Sequence, residues 1–131
     1  MSKVRGIRGA IIVKSNTKDH ILEATTELLQ KIIEQNQIDS IDIASVMFTA
    51  TPDLDAEFPA YAARKMGWTM VPLMCAREMN VPESMKSVLR VLVSVNTDKE
   101  QHQIKHQYIG ETRRFRPDLF GGMNDDSNNE D

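Results

Sequence analysis

One arginine, Arg90, lies in the middle of the largely apolar run Ser87–Val95. Apolar side chains fill consecutive positions there, and this pattern predicts a β-strand that is covered on both faces. A guanidinium keeps its proton in such surroundings, and burying it without a partner is costly in free energy. The fold must therefore place a negative group beside Arg90, either a carboxylate of the protein or an anionic ligand.

The order of predicted elements is βαβαβ(α)ββ, which is typical of an α+β or α/β domain with helices packed on one side of a sheet. Only two long helices are available to cover strands that are apolar on both faces. We therefore expect a subunit interface to cover the remaining apolar surface of the sheet. We expect residues 1–120 to form a single domain of this kind. The predicted strands are Val4–Val13, Ile41–Ala50, Trp68–Cys75, Val88–Val95 and Ile104–Gly110, and the predicted helices run from the capping residues Ser15–Thr17 to Asn36, from Phe58 to Met66, and briefly before Ser87.

Charge and composition exclude several classes of protein. Residues 121–131 carry four acidic residues and no basic one, so we expect a disordered tail. The body that remains has 15 acidic and 16 basic residues, a balance that predicts no nucleic-acid surface. The single cysteine, Cys75, excludes an internal disulfide and suits a reducing cytoplasm. No signal peptide or membrane-spanning run is recognisable, so we expect a cytoplasmic protein.

The arginines are the first candidates for chemistry. Arg8 lies between Gly6 and Gly9, which allow close backbone approach, and two arginines in one pocket would bind carboxylates in bidentate fashion. Each also has an ordinary structural explanation: a salt bridge for Arg8 and for Arg90, and a solvated helix position for Arg64.

Other polar residues give weaker signals. Cys75 and Glu78 are three residues apart, but no histidine nearby in sequence could activate the thiol. Cys75 is therefore also explained as a small buried residue, and Glu78 as the partner of Arg90. His102 and His106 have the spacing of a metal pair on a helix, yet no third ligand accompanies them, and we predict no metal site. These residues alone predict an oligomeric domain with an arginine-lined anion pocket, and leave the reaction open.

Several short segments, taken together and in order, resemble the monofunctional bacterial chorismate mutases of the AroH class. The similarity extends from about residue 3 to residue 119. The matching segments are Arg5–Ala10, Thr49–Leu54, Phe58–Ala60, Gly67–Trp68, Cys75 with Glu78–Met79, Leu89–Val91, and Tyr108 followed by Arg116–Leu119.

This resemblance implies a homotrimer in which packed sheets form a pseudo-α/β-barrel with the helices outside, and active sites at the subunit interfaces. It implies the Claisen rearrangement of chorismate to prephenate, in the biosynthesis of phenylalanine and tyrosine, without a cofactor or a covalent intermediate. Arg90 would stabilise the negative charge that grows on the ether oxygen, and Arg8 would hold a substrate carboxylate. Glu78 and Cys75 would bind the ring hydroxyl and face the developing positive charge on the ring.

The resemblance also implies roles for residues around the pocket. Phe58 and Ala60 would form a wall contributed by a neighbouring subunit, and Arg64 would lie at the mouth. Tyr108 would hydrogen-bond near Arg8, and Phe115 and Arg116 would cover the site. Met74, beside Cys75, would also contact the substrate. It is one of four residues that depart from the family pattern, together with Tyr61, Arg113 and Arg114.

Two other functions fit an arginine-lined pocket in an oligomer. One is an enamine or imine deaminase of a similarly shaped trimeric family, which also uses an interfacial arginine to hold a carboxylate. The other is a non-catalytic protein that binds a dicarboxylate.

Overall fold

The computed structural model describes residues 2–119, which form five strands, two α-helices and four short 3₁₀ turns. The tail expected from residue 121 onward lies outside the described residues. The strands are β1 (Lys3–Ile12), β2 (Ile43–Ala50), β3 (Leu73–Arg77), β4 (Val88–Thr97) and β5 (Gln107–Tyr108), the helices are α1 (Lys18–Asn36) and α2 (Ala60–Lys65), and the 3₁₀ turns are Ser40–Asp42, Gln101–Gln103, Gly110–Phe115 and Pro117–Leu119.

The five strands form one mixed sheet in the order β3-β2-β4-β1-β5. The central strand β4, which carries Arg90, is antiparallel to both β1 and β2. The outer strands β3 and β5 are parallel to β2 and β1, respectively. The prediction of an α+β domain with five strands is confirmed, and the structure shows that the sheet is mixed.

One face of the sheet, which we call the helix face, carries the core. Helix α1 begins after Thr17, whose side chain accepts a hydrogen bond from the His20 backbone N–H, and it ends at Gln37 in the left-handed conformation. Its apolar stripe packs against alternate residues of the strands. The buried set includes Ile7, Ile11, Phe48, Leu89, Val91 and Val93 from the sheet, and Ile21, Leu28, Leu29 and Ile32 from α1. Within the described residues, no helix is both long and apolar enough to cross a membrane.

The opposite face, which we call the open face, carries Arg8 and Arg90 because these residues alternate with the buried ones. Large apolar side chains on this face are exposed in the single chain: Val4 by 62%, Leu92 by 44% and Met74 by 64%. We expected β4 to be covered on both faces. In the single chain this is wrong at Leu92, whose side chain is exposed on the open face.

Several predicted element boundaries are wrong. β3 begins at Leu73, not Trp68, because Gly67 has a left-handed φ of +94° and Trp68 packs into the core from an irregular segment. β5 is only two residues long, since the chain turns into a 3₁₀ segment at Gly110. The helix predicted from Phe58 is the shorter α2. The helical piece predicted before Ser87 is absent from the structure, which has turns and bends over 82–86.

A buried amide ties the end of α1 to the segment before β5. The Asn36 side chain donates to the Lys105 carbonyl at 2.9 Å and accepts from the Lys105 N–H at 2.8 Å. It also donates to the Ile32 carbonyl at 3.0 Å, within its own helix. These contacts fix where the chain enters β5, and hence the register that places Tyr108 beside Ala10.

Gly9 allows β1, β5 and α1 to approach one another. A Cβ at this position would lie 2.9 Å from the Gln107 carbonyl oxygen and 3.0 Å from Leu28 Cδ1. The expected role of Gly9 in close backbone approach is confirmed. At Gly6 an added Cβ would meet only the end of the Leu92 side chain, at 3.3 Å.

We predict that Gly9→Ala lowers the free energy of unfolding by about 1–3 kcal/mol, because the new methyl group must displace the backbone of β5. Gly6→Ala is the matched control, since the flexible Leu92 side chain can move, and it should change stability far less. Urea unfolding followed by circular dichroism measures both. Equal stability of the two variants would contradict this account of Gly9.

Candidate active site

Arg90 is paired with a carboxylate of its own chain. Its Nε lies 3.4 Å from Glu78 Oε2, and the two side chains are 19% and 27% exposed. The same Glu78 oxygen accepts a hydrogen bond from Thr49 Oγ1 at 2.6 Å. Thr49 is the β2 residue directly opposite Arg90 in the sheet register. The sequence leaves open whether a protein carboxylate or an anionic ligand meets Arg90, and the structure provides the protein carboxylate, Glu78.

An aromatic ring covers the guanidinium of Arg90. Its Cζ atom lies 4.3 Å from the centre of the Phe115 ring, within the distance of a cation–π interaction. Phe115 is buried, and it belongs to the 3₁₀ segment Gly110–Phe115, which packs against β1. The ring and the Glu78 carboxylate together restrict the orientation of the guanidinium.

A cavity of about 560 Å³ opens beside this group. Its volume is in the range of small-molecule sites in proteins. Arg90 therefore borders an open cavity as well as a protein carboxylate. The lining residues are Thr51, Glu78, Met79, Val81, Pro82, Glu83, Ser84, Met85, Arg90 and Phe115.

The loop before β4 is held in a left-handed conformation close to Arg90. Ser87 has a φ of +60°, and both its N–H and its hydroxyl donate to Asp53 Oδ2, at 2.9 and 3.0 Å. Burial disfavours the charged form of Asp53, but hydrogen bonds from Thr51 and Ser87 outweigh it and lower the pKa of the carboxyl. Asp53 thus fixes the start of the strand that carries Arg90.

Arg8 lies on the same face as Arg90, one diagonal step away, because Ala10 is paired with Arg90. Tyr108 is paired with Ala10 from the other side and is buried. The pKa of Arg116 is raised, mainly by its hydrogen bond to Asp118 and further by a hydrogen bond with Tyr108. Arg8 lines a second cavity, of about 450 Å³, with Arg5, Gln101 and His106 among the other lining residues.

The remaining predicted residues lie elsewhere. Cys75 is on the helix face, beside α2, where a cavity of about 290 Å³ is lined by Phe58, Ala60, Tyr61, Arg64, Leu73 and Cys75. The Phe58 and Tyr61 rings meet edge to face at 5.8 Å, and the Arg64 guanidinium lies 5.3 Å from the Tyr61 ring centre. Burial raises the pKa of the Cys75 thiol. Met74 is on the open face and exposed.

Within one chain the predicted site residues therefore form two groups. The open-face group consists of Arg8, Glu78, Arg90, Tyr108, Phe115 and Arg116, and the α2 group consists of Phe58, Ala60, Arg64 and Cys75. Cys75 and Glu78, which we expected to act together on one ring, belong to different groups in the single chain. Sequence reasoning missed the contact of His106 with Arg8. The alternation of His106 with Tyr108 places these two residues on one face, but it does not reveal the contact with Arg8.

The fold is an α+β domain, and its open-face group places Arg90 beside a cavity of small-molecule size. A sequence model of chorismate mutase type I matches residues 4–119. Chorismate mutase AroH of Thermus thermophilus is 51% identical over 117 residues, which cover 88% of this chain and 96% of the relative. Chorismate mutase AroH of Bacillus subtilis is 45% identical over 117 residues, covering 88% and 92%.

A solved structure agrees with these sequence relatives. Chorismate mutase from Clostridium thermocellum superposes with a TM-score of 0.82 at 48% sequence identity, over 83% of this chain and 97% of that one. The chain belongs to the chorismate mutase type I family.

Proposed function

We propose that this protein converts chorismate to prephenate in the cytoplasm, the branch step toward phenylalanine and tyrosine. The observation that carries the proposal is the Arg90 guanidinium, oriented by Glu78 and Phe115 beside an open cavity. The family and the names of the relatives support it. They favour this reaction over a deaminase or a non-catalytic dicarboxylate-binding protein.

The reaction is intramolecular: the ether C–O bond breaks and a C–C bond forms within one molecule. C–O cleavage runs ahead of C–C formation, so negative charge gathers on the ether oxygen and positive charge on the ring. A guanidinium aimed at that oxygen stabilises the transition state more than the ground state, and this difference is what accelerates a reaction. No nucleophile is needed, which agrees with a Cys75 thiol that holds its proton.

The other open-face residues bind the substrate and orient it and Arg90. Arg8 pairs with a substrate carboxylate, and Tyr108 and Arg116 hydrogen-bond beside it. Glu78 has two functions, because it holds Arg90 through the ion pair and faces the positive charge that develops on the ring. Phe115 covers one side of the guanidinium and reduces its contact with water, which strengthens its electrostatic effect.

Each site is completed by a second chain in a homotrimer. The two groups of predicted residues are separated in one chain, whereas residues of one functional site must converge on one substrate. The exposed apolar side chains of Val4, Leu92 and Met74 give the open face the character of a subunit interface. In this assembly the α2 group of one subunit faces the open-face group of its neighbour, and the packed sheets form the pseudo-α/β-barrel.

The first test replaces the proposed catalytic cation. We predict that Arg90→Ala lowers kcat/KM for chorismate by roughly 10²–10³, the scale for one donor to a developing negative charge. Arg114→Ala is the matched control, because Arg114 makes a partly exposed ion pair with Glu111 at 3.8 Å. Loss of chorismate absorbance and formation of prephenate are measured. Near-normal turnover by Arg90→Ala would exclude this mechanism.

The second test asks whether two chains share one site. Arg90→Ala disables the open-face group, and Arg64→Glu disables the α2 group by repelling the substrate carboxylates. Co-expressed in equal amounts, the two inactive variants should regain activity, because about a quarter of all interfaces combine two intact groups. Each variant expressed alone is the control. Mixed oligomers with no more activity than the separate variants would contradict a shared site.

A further inference from the structure

The backbone of Arg8 is held by a side chain at the edge of the sheet. Backbone pairing of β5 with β1 covers Gly9 and Ala10, so the Arg8 N–H lies beyond the start of β5. His106 supplies the acceptor there: its Nδ1 receives the Arg8 N–H at 2.9 Å. His106 and Arg8 are 98 residues apart in sequence, and both line the same cavity of about 450 Å³.

We propose that neutral His106 is the positioning residue for Arg8, and that its protonation releases the Arg8 backbone and weakens the hold on the substrate carboxylate. This inference rests on the proposed function, in which Arg8 binds that carboxylate. It adds a pH-dependent element to a reaction whose own chemistry transfers no proton.

The hydrogen bond exists only while Nδ1 carries a lone pair, because both ring nitrogens of an imidazolium are donors. Within residues 2–119, the charged groups near the ring are Arg5 and Arg8 from β1, and Arg116. Arg116 is in turn paired with Asp118 at 2.9 Å and hydrogen-bonds with Tyr108 of β5. Burial, followed by the charges of Arg116 and Arg8, lowers the pKa of His106 below its usual 6.5. The neutral form therefore predominates at neutral pH, and the contact is lost as the pH falls through the depressed pKa.

Protonation has two opposing effects on a dianionic substrate. The new positive charge attracts it, whereas the displaced Arg8 binds it less well. The displacement dominates in this account, because the guanidinium must meet the carboxylate with bidentate geometry. Substrate and transition state carry the same carboxylate, so the change appears in KM more than in kcat.

Three proteins test the proposal: the full-length wild type, His106→Asn and His106→Ala. Asparagine keeps an acceptor atom at the position of Nδ1 but does not titrate, and alanine removes the acceptor. At pH 7.5 we expect near-normal KM for His106→Asn, and a KM raised about five- to tenfold for His106→Ala, the effect of one lost hydrogen bond. As the pH is lowered from 7.5 through the depressed pKa of His106, the KM of the wild type should rise several-fold relative to that of His106→Asn.

A measurement without substrate separates this inference from the proposed function. Exchange of the Arg8 amide proton, followed by NMR at one pH, should be slow in the wild type and in His106→Asn and faster in His106→Ala. If the wild type does not convert chorismate, the proposed function fails, and the exchange rates still test the His106 contact. Equal exchange in all three proteins, or a KM for His106→Ala equal to that of the wild type, would overturn the positioning role.

Discussion

The structure depends on accommodating one permanent positive charge in the central strand of a sheet. Arg90 sits on β4 between apolar neighbours, and its guanidinium is met by the Glu78 carboxylate, the Phe115 ring and an open cavity. Glu78 and Phe115 come from different parts of the chain, and Thr49 from β2 in turn hydrogen-bonds to Glu78. Because a buried charge without such partners is strongly destabilising, the segments that supply them are constrained together with Arg90.

This arrangement suits catalysis by electrostatics rather than by covalent chemistry. The guanidinium is already oriented before substrate arrives, so little reorganisation is needed when charge develops. The second chain that we propose to complete the site would explain both the exposed apolar side chains of the open face and the separate position of the α2 group. Leu92 on the open face and Cys75 on the helix face mark the two sides of the sheet that such an assembly would use.

Sequence patterns predicted the parts of this structure that depend on local periodicity. The apolar runs gave β1, β2 and β4 to within a few residues, and the need for a partner beside Arg90 followed from charge alone. The sequence does not indicate the start of β3, because Trp68 is buried from an irregular segment and an apolar run there resembles a strand. With β3 placed correctly through Arg77, the three-residue spacing of Cys75 and Glu78 would have put them on opposite faces. The contact of His106 with Arg8 depends on a pairing between distant segments, which no local pattern contains.

In the proposed mechanism Arg90 acts on the ether oxygen, while other groups bind the carboxylates. Two bicyclic dicarboxylates that mimic the transition state, one with the ether oxygen and one with a methylene group in its place, distinguish these contributions in a calorimetric titration. We expect the wild-type protein to bind the ether at least about tenfold more tightly, since only the oxygen can accept from the guanidinium. Equal affinity for the two compounds would contradict this mechanism.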